Sequence, residues 1–411
     1  MDGSHSVCGG QGNRRHFLKT ATTAGVGAAL TSAETAWAAD PPAAFKTAIP
    51  AVTLGKTGEK VTILGQGTSW LFSPAFLQTA ILSGVRYIDT SETYENTKAE
   101  SAIGDLFERT NLRKDVYLVT KNAGFRTAKG DAAHKVFEEH LNASLERLKT
   151  DYVDCYYIHG IAGNQIDMLR DPGVKAAFET LKKQKKIRFC GLSCHDAMLP
   201  EILEVAAEVG WLDQVMIKYN FRDVGKKDRY DDLNRAIDKA SKANLGMVAM
   251  KTQGGAINFP DKMAELQAKG FKKEVAAIKT VWNDSRMHVV VSEMTTRSDV
   301  RENVAASKDT KLSANDAKRL EEYRARTENL YCHGCGNLCE TAAKGVPVAT
   351  VLRYLRYYEV YGKRLEARAL YQALPPEARD LASADLGAAQ AACPHSLPVV
   401  DLIKRADHRM S

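Results

Sequence analysis

Eight short apolar runs, each followed by a stretch of different period, constrain the fold of this 411-residue chain more than any other feature. The runs are Thr62–Leu64, Tyr87–Thr90, Val116–Lys121, Val153–His159, Ile187–Ser193, Val215–Tyr219, Gly246–Met250 and His288–Ser292. Between them, Phe76–Gly84, Ala99–Arg109, Ala132–Leu148 and Gly173–Lys183 carry apolar residues at spacings of three and four, the period of an amphipathic helix. Gly84, Gly210 and Gly270 sit where left-handed caps end helices. Strands joined by crossover helices pair in parallel, and eight such units predict an α/β fold of the (β/α)8 TIM-barrel type. The span from 52 to 310 is ample for a barrel of roughly 250 residues. A doubly wound sheet would want a Gly-rich dinucleotide turn after its first strand. Leu64-Gly65-Gln66-Gly67-Thr68-Ser69 lacks the third Gly. Ahead of the barrel, Leu54-Gly55-Lys56-Thr57-Gly58 reads as the turn of a short hairpin.

Composition excludes other classes. Hydrophobic residues at 44% and charged residues at 26% are ordinary for a globular chain, which argues against wholesale disorder and a polytopic membrane protein. The formal net charge is +7 with no block of five like charges, so no nucleic-acid footprint is expected. The basic run Lys182-Lys183-Gln184-Lys185-Lys186 reads as a solvated helix end.

The N-terminus reads as an address. Arg14 and Arg15 precede Phe17, Leu18 and Lys19, and Thr20 to Ala33 is uncharged and rich in Ala, Gly and Thr. That stretch is too short for a stable membrane span, which takes about 20 apolar residues. Ala36-Trp37-Ala38 offers small residues to a signal peptidase. The segment resembles a twin-arginine (Tat) signal peptide. The resemblance implies the Tat export machinery as a partner, passage in the folded state with cofactors in place, and a periplasmic or extracytoplasmic location. The expected layout is a signal over 1–38, a linker over 39–51, the barrel over 52–310 and a further domain over 311–411.

Barrels of this kind do their chemistry at the C-terminal ends of the strands. Asp89, Lys121 and His159 fall at three consecutive strand ends, with Tyr94 in the loop after Asp89. A phenol of pKa near 10 is a poor acid at neutral pH, and a nearby ammonium is expected to lower that value. Asp89 would hold Lys121, His159 would orient a substrate carbonyl, and Tyr94 would give its proton to the oxygen.

Here the chain resembles the aldo-keto reductase superfamily. The matching segments are Tyr87-Ile88-Asp89-Thr90-Ser91 through Tyr94, Glu100 and Gly104; Leu118-Val119-Thr120-Lys121; and Asp154-Cys155-Tyr156-Tyr157-Ile158-His159. Leu192-Ser193, Tyr219-Asn220, Gly246 to Lys251 and Glu302-Asn303 continue the register. The resemblance implies hydride transfer between NADP or NAD and a small carbonyl or alcohol substrate. It places the cofactor against Gly67, Thr68, Ser193, Cys194, Tyr219, Met250, Lys251, Arg297, Arg301 and Asn303. Departures are Cys194 in the Asn place, Met216 in the Gln place, Met250 where an aromatic usually stacks, and the pattern around Asp299.

The cysteines lie at 8, 155, 190, 194, 332, 335, 339 and 393. Cys155 and Cys190 fall inside expected strands and read as small buried hydrophobes; Cys194, at a strand end, could line the site. Cys332, Cys335, Cys339 and the Cys393-Pro394 pair lie beyond the barrel. Ferredoxins use Cys-x2-Cys-x2-Cys-x3-Cys-Pro runs in which the Cys before Pro serves the other cluster. The tail resembles a two-motif helical ferredoxin that keeps the four ligands of one 4Fe-4S cluster, with Ser383, Leu386 and Ala389 in three vacant places. One extra residue separates Cys335 from Cys339, and zinc or disulfides remain alternatives. Helices are expected over Val348–Tyr361 and Leu365–Leu374, broken at Pro375-Pro376, with Tyr354, Tyr357, Tyr358 and Tyr361 as a packing stripe. The whole reads as an exported oxidoreductase with a possible redox partner. The alternative is a non-catalytic or electron-transfer protein built on the same barrel.

Overall fold

A short hairpin opens the described chain. Strands β1 (Ala51–Thr53) and β2 (Lys60–Thr62) pair antiparallel around a 3-10 turn at Gly55–Thr57. In this computed structural model the described residues are 49–69, 74–224, 227–254 and 271–411. All belong to one compact unit, Phe45–Ser411. The expected signal peptide with Cys8, Arg14 and Arg15, nearly all of the linker, and the Gly270 cap lie outside them.

The barrel strands are β3 (Leu64–Gly67), β4 (Tyr87–Asp89), β5 (Tyr117–Asn122), β6 (Val153–Ile158), β7 (Ile187–Cys194), β8 (Gln214–Lys218), β9 (Gly246–Met250) and β10 (Val289–Ser292). Each pairs in parallel with its successor, and β10 returns to β3 to close the barrel. The helices Lys98–Thr110, Ala133–Leu148, Pro172–Lys183 and Leu199–Val209 bring their apolar faces onto the outer wall. Inside, Tyr87, Tyr117, Val119, Tyr157 and Met216 fill the interior. Leu54 and Val61 of the hairpin join that cluster and plug the N-terminal end. Gly55 makes the plug fit: its φ is +50°, and a Cβ there would stand 2.5 Å from the Asn244 carbonyl oxygen.

The first barrel strand differs from expectation. Thr62–Leu64 straddles the end of β2 and the start of β3. The strand is Leu64–Gly67, hidden in the sequence because Gly is depleted in strands. Packing decides its place. A Cβ on Gly65 would come within 2.9 Å of the Tyr87 ring in β4.

Beyond the barrel, the helix Ala314–Thr327 sets Leu320 and Tyr323 against Ala276 and Ala277. Helices Val348–Glu359, Arg364–Gln372, Leu386–Ala391 and Val399–Met410 form a separate core around Leu352, Leu355, Tyr371 and Ile403. The second of these stops before Pro375-Pro376. This module lies over the C-terminal ends of the barrel strands. Lys218 of β8 donates to the His333 carbonyl at 2.8 Å. Lys251, after β9, donates to the Tyr357 hydroxyl at 2.9 Å. Arg353 reaches His195, after β7, and Lys363 reaches the Ser69 carbonyl, after β3.

Candidate active site

The loop after β4 brings a phenol back over the barrel mouth. Glu95, Asn96 and Thr97, which follow Tyr94, all have left-handed φ, at 49°, 52° and 72°. Such backbone is uncommon for Glu and Thr and turns the chain sharply into the helix Lys98–Thr110. Glu92 pins the loop from the other side. It accepts from the Ala123 amide at 2.6 Å and pairs with His140 at 2.7 Å.

Tyr94 then meets Lys121. The ammonium lies 3.0 Å from the phenol oxygen and 4.6 Å from the ring centroid. Lys121 also contacts Asp89 Oδ1 at 2.7 Å and donates to the Thr90 carbonyl at 2.7 Å. His159 sits edge-on to Tyr94, with ring centroids 5.7 Å apart. Its Nδ1 is 2.9 Å from Ser91 Oγ. The four candidate residues from separate segments therefore gather at one place, three of them at neighbouring strand ends.

The electrostatics differ from the expectation in one respect. Burial raises the Tyr94 phenol well above its usual pKa, with Asp89, Glu293, Tyr357 and Glu366 adding to the rise. The nearby ammonium does not reverse this. Burial also lowers Lys121 and raises Asp89, each partly offset by the other. His159 is pushed well below the usual imidazole range by burial, then by Lys121, Arg126 and Lys251. The phenol is thus held protonated and the imidazole neutral, with the ammonium placed to stabilise a phenolate once the proton has left.

The other expected cofactor residues divide into two groups. Thr68 donates to the Asp89 carbonyl at 2.9 Å, and a Cβ on Gly67 would stand 2.9 Å from Glu293. Ser193 Oγ accepts from the Gly160 amide at 2.9 Å. Met250 packs at the edge of the barrel interior, and Lys251 faces the mouth. Arg297 and Arg301 are exposed on the first turns of the helix Arg297–Lys308. Asn303, buried, donates to Ser292 Oγ at 2.9 Å. Asp299 caps that helix by accepting from the Thr295 and Thr296 amides.

Two residues do not join the mouth. Tyr219 is buried with its hydroxyl on Asp284 at 2.7 Å. Cys194 is buried in the wall layer, and its Sγ accepts from the Asp196 amide. Alternation along a strand explains Cys194: its neighbour Ser193 bonds toward the mouth, so Cys194 faces the other way. Cys155 and Cys190 are buried in the barrel, as expected.

Cys332, Cys335, Cys339 and Cys393 line one cavity of the module with Leu352 and Val399. The seven described cysteines are all unpaired. Burial raises the thiols of Cys332, Cys335 and Cys339, Cys335 to about 11 and Cys339 to about 12. Lys218 and Arg356 are cations that oppose this at Cys332. His333 and His395 line the same cavity and, with Glu328, offer ligand atoms that all lie within 4.8 Å of one another.

Three residues facing the mouth were not singled out from the sequence as site residues: His195, Arg353 and Tyr357. His195 had a signal, since it directly follows Ser193-Cys194 at a strand end. Arg353 and Tyr357 had none beyond helical spacing, because their place depends on how the module docks.

Residues 71–279, about half of the chain, match the aldo/keto reductase family. L-galactose dehydrogenase of Arabidopsis thaliana is 26% identical over 299 residues, covering 67% of this chain and 93% of that protein. An uncharacterized oxidoreductase of Bacillus subtilis is 32% identical over 155 residues, covering 36% of this chain and 47% of that protein. In that pairing the chain spans about half the relative's length. Among solved structures, an aldo-keto reductase from Klebsiella pneumoniae in complex with NADPH aligns with a TM-score of 0.51 at 23% identity, covering 66% of this chain and 94% of that one. The holo form of an aldo-keto reductase from Bacillus halodurans gives 0.52 at 21% identity, covering 67% and 96%. At these identities the structural likeness concerns the fold.

Proposed function

This chain belongs to the aldo/keto reductase family, and on that premise we propose that it is an exported oxidoreductase. It moves a hydride between NADP or NAD and a small carbonyl or alcohol substrate, and its C-terminal module holds one 4Fe-4S cluster. The observation that carries the reading is the Lys121 ammonium 3.0 Å from the Tyr94 phenol, beside a neutral His159, at the mouth of a closed barrel.

The nicotinamide, when bound, supplies or takes up the hydride. The chain's own residues do the rest. His159 Nε2–H orients the carbonyl oxygen, Nδ1 being turned to Ser91. Tyr94, held protonated, gives its proton to that oxygen as it becomes a hydroxyl. Lys121 stabilises the phenolate left behind, and Asp89 holds the ammonium in place. In the reverse direction the same phenolate takes the alcohol proton. The exposed guanidiniums of Arg297 and Arg301 at a helix N-terminus suit a nucleotide phosphate. Gly67, Thr68, Ser193, Met250, Lys251 and Asn303 are assigned to the remainder of the nucleotide. Tyr219 and Cys194 are left out of this assignment.

The cluster assignment is supported by four thiols on one cavity, unpaired with each other, and by their ferredoxin-like spacing in the sequence. Cys332, Cys335, Cys339 and Cys393 are its ligands, and the cluster when bound supplies one-electron capacity to a redox partner. Export through the Tat machinery to the periplasm or another extracytoplasmic space rests on residues 13–38 alone. Among the described residues no helix is long and apolar enough to cross a membrane. The division into signal, linker, barrel and module is part of the same reading. An alternative, an electron-transfer protein on a barrel that does not turn over, draws support from Lys251, whose ammonium is engaged by Tyr357.

Anaerobic purification with iron, sulfide and nucleotide analysis, followed by NADPH oxidation against a panel of aldehydes and ketones, tests the whole. Iron and sulfide with turnover bears it out. Protein that binds no nicotinamide nucleotide and reduces no carbonyl returns the barrel to the alternative.

A further inference from the structure

Neither the hydride chemistry nor the thiol cavity uses the far end of the C-terminal module. The helix Val348–Glu359 begins at the cavity, which Val348, Ala349 and Leu352 line. The helix Val399–Met410 begins there too, at Val399. Their other ends meet at Tyr358. Its ring faces the guanidiniums of Arg364, Arg368 and Arg409 at 5.7, 5.7 and 5.9 Å from the centroid, within cation–π range. Arg405 joins them through Glu359, whose carboxylate lies 3.3 Å from its Nε and 3.1 Å from that of Arg409. All four arginines are exposed. Leu365, next to Arg364, is 83% exposed, more than any other large apolar residue described, and Val360 ahead of the same turn is 47% exposed.

This arrangement works against the helices that carry it. Arg364 and Arg368 stand four apart on one helix, Arg405 and Arg409 four apart on another, and like charges at that spacing repel. Local acceptors answer only part of the charge. Glu359 serves two guanidiniums, and Arg368 Nε donates to the Arg409 carbonyl at 3.0 Å. The Arg364 guanidinium meets only the Tyr358 ring among the described residues. The neighbouring carboxylates are engaged or distant. Glu366 pairs with Lys363, Asp407 accepts from Tyr371 and Ser411, and Asp401 lies in the first turn of its helix, away from Arg409. Guanidiniums grip phosphate oxygens in pairs. A free phosphate would use the charge and leave Leu365 in water. An anionic bilayer uses both, since basic residues hold its headgroups and an apolar side chain enters the boundary beneath.

We propose that this end of the module is a docking surface for an anionic phospholipid bilayer. Arg364, Arg368, Arg405 and Arg409 take the phosphodiester groups, and Leu365 and Val360 enter the apolar boundary. The contact is peripheral, since among the described residues no helix is long and apolar enough to cross a membrane. Ten residues of helix, about 15 Å, separate Val348 at the thiol cavity from Tyr358, so the cavity stays clear of the lipid. The inference stands independently of the hydride and cluster readings.

The test is co-sedimentation of the full-length protein with vesicles of phosphatidylcholine alone, or of phosphatidylcholine with about 30% phosphatidylglycerol. The parent should bind the anionic vesicles about tenfold more tightly than the neutral ones, or better. Replacing Arg364→Gln and Arg368→Gln together should weaken that binding by about tenfold, and Leu365→Ser by about threefold. Lys135→Gln, on an exposed side chain of a barrel helix, should change nothing. The N-terminal segment is common to parent and variants, so its own contribution cancels in the comparison. If the double variant melts lower than the parent, Arg364→Gln alone, which loses no hydrogen bond among the described residues, takes its place with an expected loss of about threefold. Equal binding by parent and arginine variants, equal binding to neutral vesicles, or no binding overturns the proposal. Arginine-sensitive binding that Leu365→Ser leaves untouched, or that inorganic phosphate abolishes at constant ionic strength, also overturns it, by assigning the arginines to an acidic protein or a soluble anion.

Discussion

Lys251, at the mouth end of β9, and Tyr357, on the module helix Val348–Glu359, share a hydrogen bond of 2.9 Å across the barrel–module junction. The Tyr357 hydroxyl is lowered below its usual pKa chiefly by Lys251 and Arg353, against the opposing effect of burial. The pair therefore commits a cation that would otherwise be open to a phosphate. Tyr357→Phe should free Lys251 and tighten NADPH binding by roughly three- to tenfold, since the net worth of one hydrogen bond is about 0.5–1.5 kcal/mol. Fluorescence titration of the nucleotide reads this directly. Unchanged or weaker binding would show that Lys251 does not meet the cofactor.

Tyr94→Phe removes the acid and leaves the Lys121–Asp89 pair in place. Carbonyl reduction should fall by about 10²–10⁴ in kcat, the usual worth of a positioned acid, while NADPH affinity changes less than about twofold. Equal kcat in variant and parent would remove Tyr94 as the proton donor.

Asp89→Ala leaves a buried ammonium without its counter-charge, since the side chains of Lys121 and Asp89 are only 1% and 5% exposed. Breaking a buried pair on one side costs about 3–5 kcal/mol. Urea unfolding should register a loss of that order. Asp89→Asn, which keeps the shape and a polar group, should lose less.

Acid should weaken the fold through His159 and His195. Both imidazoles lie well below their usual pKa in the folded chain. Below about pH 6.5 the unfolded chain takes up their protons and the folded chain does not, so stability falls as pH falls and is level above that value. Each histidine adds a slope of up to about 1.4 kcal/mol per pH unit. His195→Gln should flatten the slope measured by urea unfolding between pH 6.5 and 5. An unaltered slope would mean that His195 is free to protonate.

Cys393→Ser should cost the module its metal core. The parent, purified anaerobically, should carry about four irons and four sulfides per chain and absorb in the visible range. The variant should carry little of either. Stoichiometric zinc in the parent, or a Cys393 disulfide, would replace the cluster assignment.

Much of this was legible in the chain itself, because strand–helix alternation is a local property. Val, Ile and Tyr runs of the right length became β4 to β10 within a residue or two, and the helix-period segments became the outer layer. Asp89, Lys121 and His159 could be placed together because a parallel barrel puts consecutive strand ends side by side. β3 was not legible, since its glycines are selected by the close approach of Tyr87 and Glu293 rather than by strand propensity.

The sequence by itself determined the barrel, the identity of the three residues gathered around Tyr94 and the thiol set beyond the barrel. Only the tertiary structure decided that Cys194 and Tyr219 face away from the mouth, that burial outweighs the ammonium in setting the Tyr94 proton, and that Arg353 and Tyr357 lean over His195 and Lys251. The physical reason is range: strand and helix periodicity is written in neighbours, whereas desolvation and the docking of one core on another arise between residues more than a hundred positions apart.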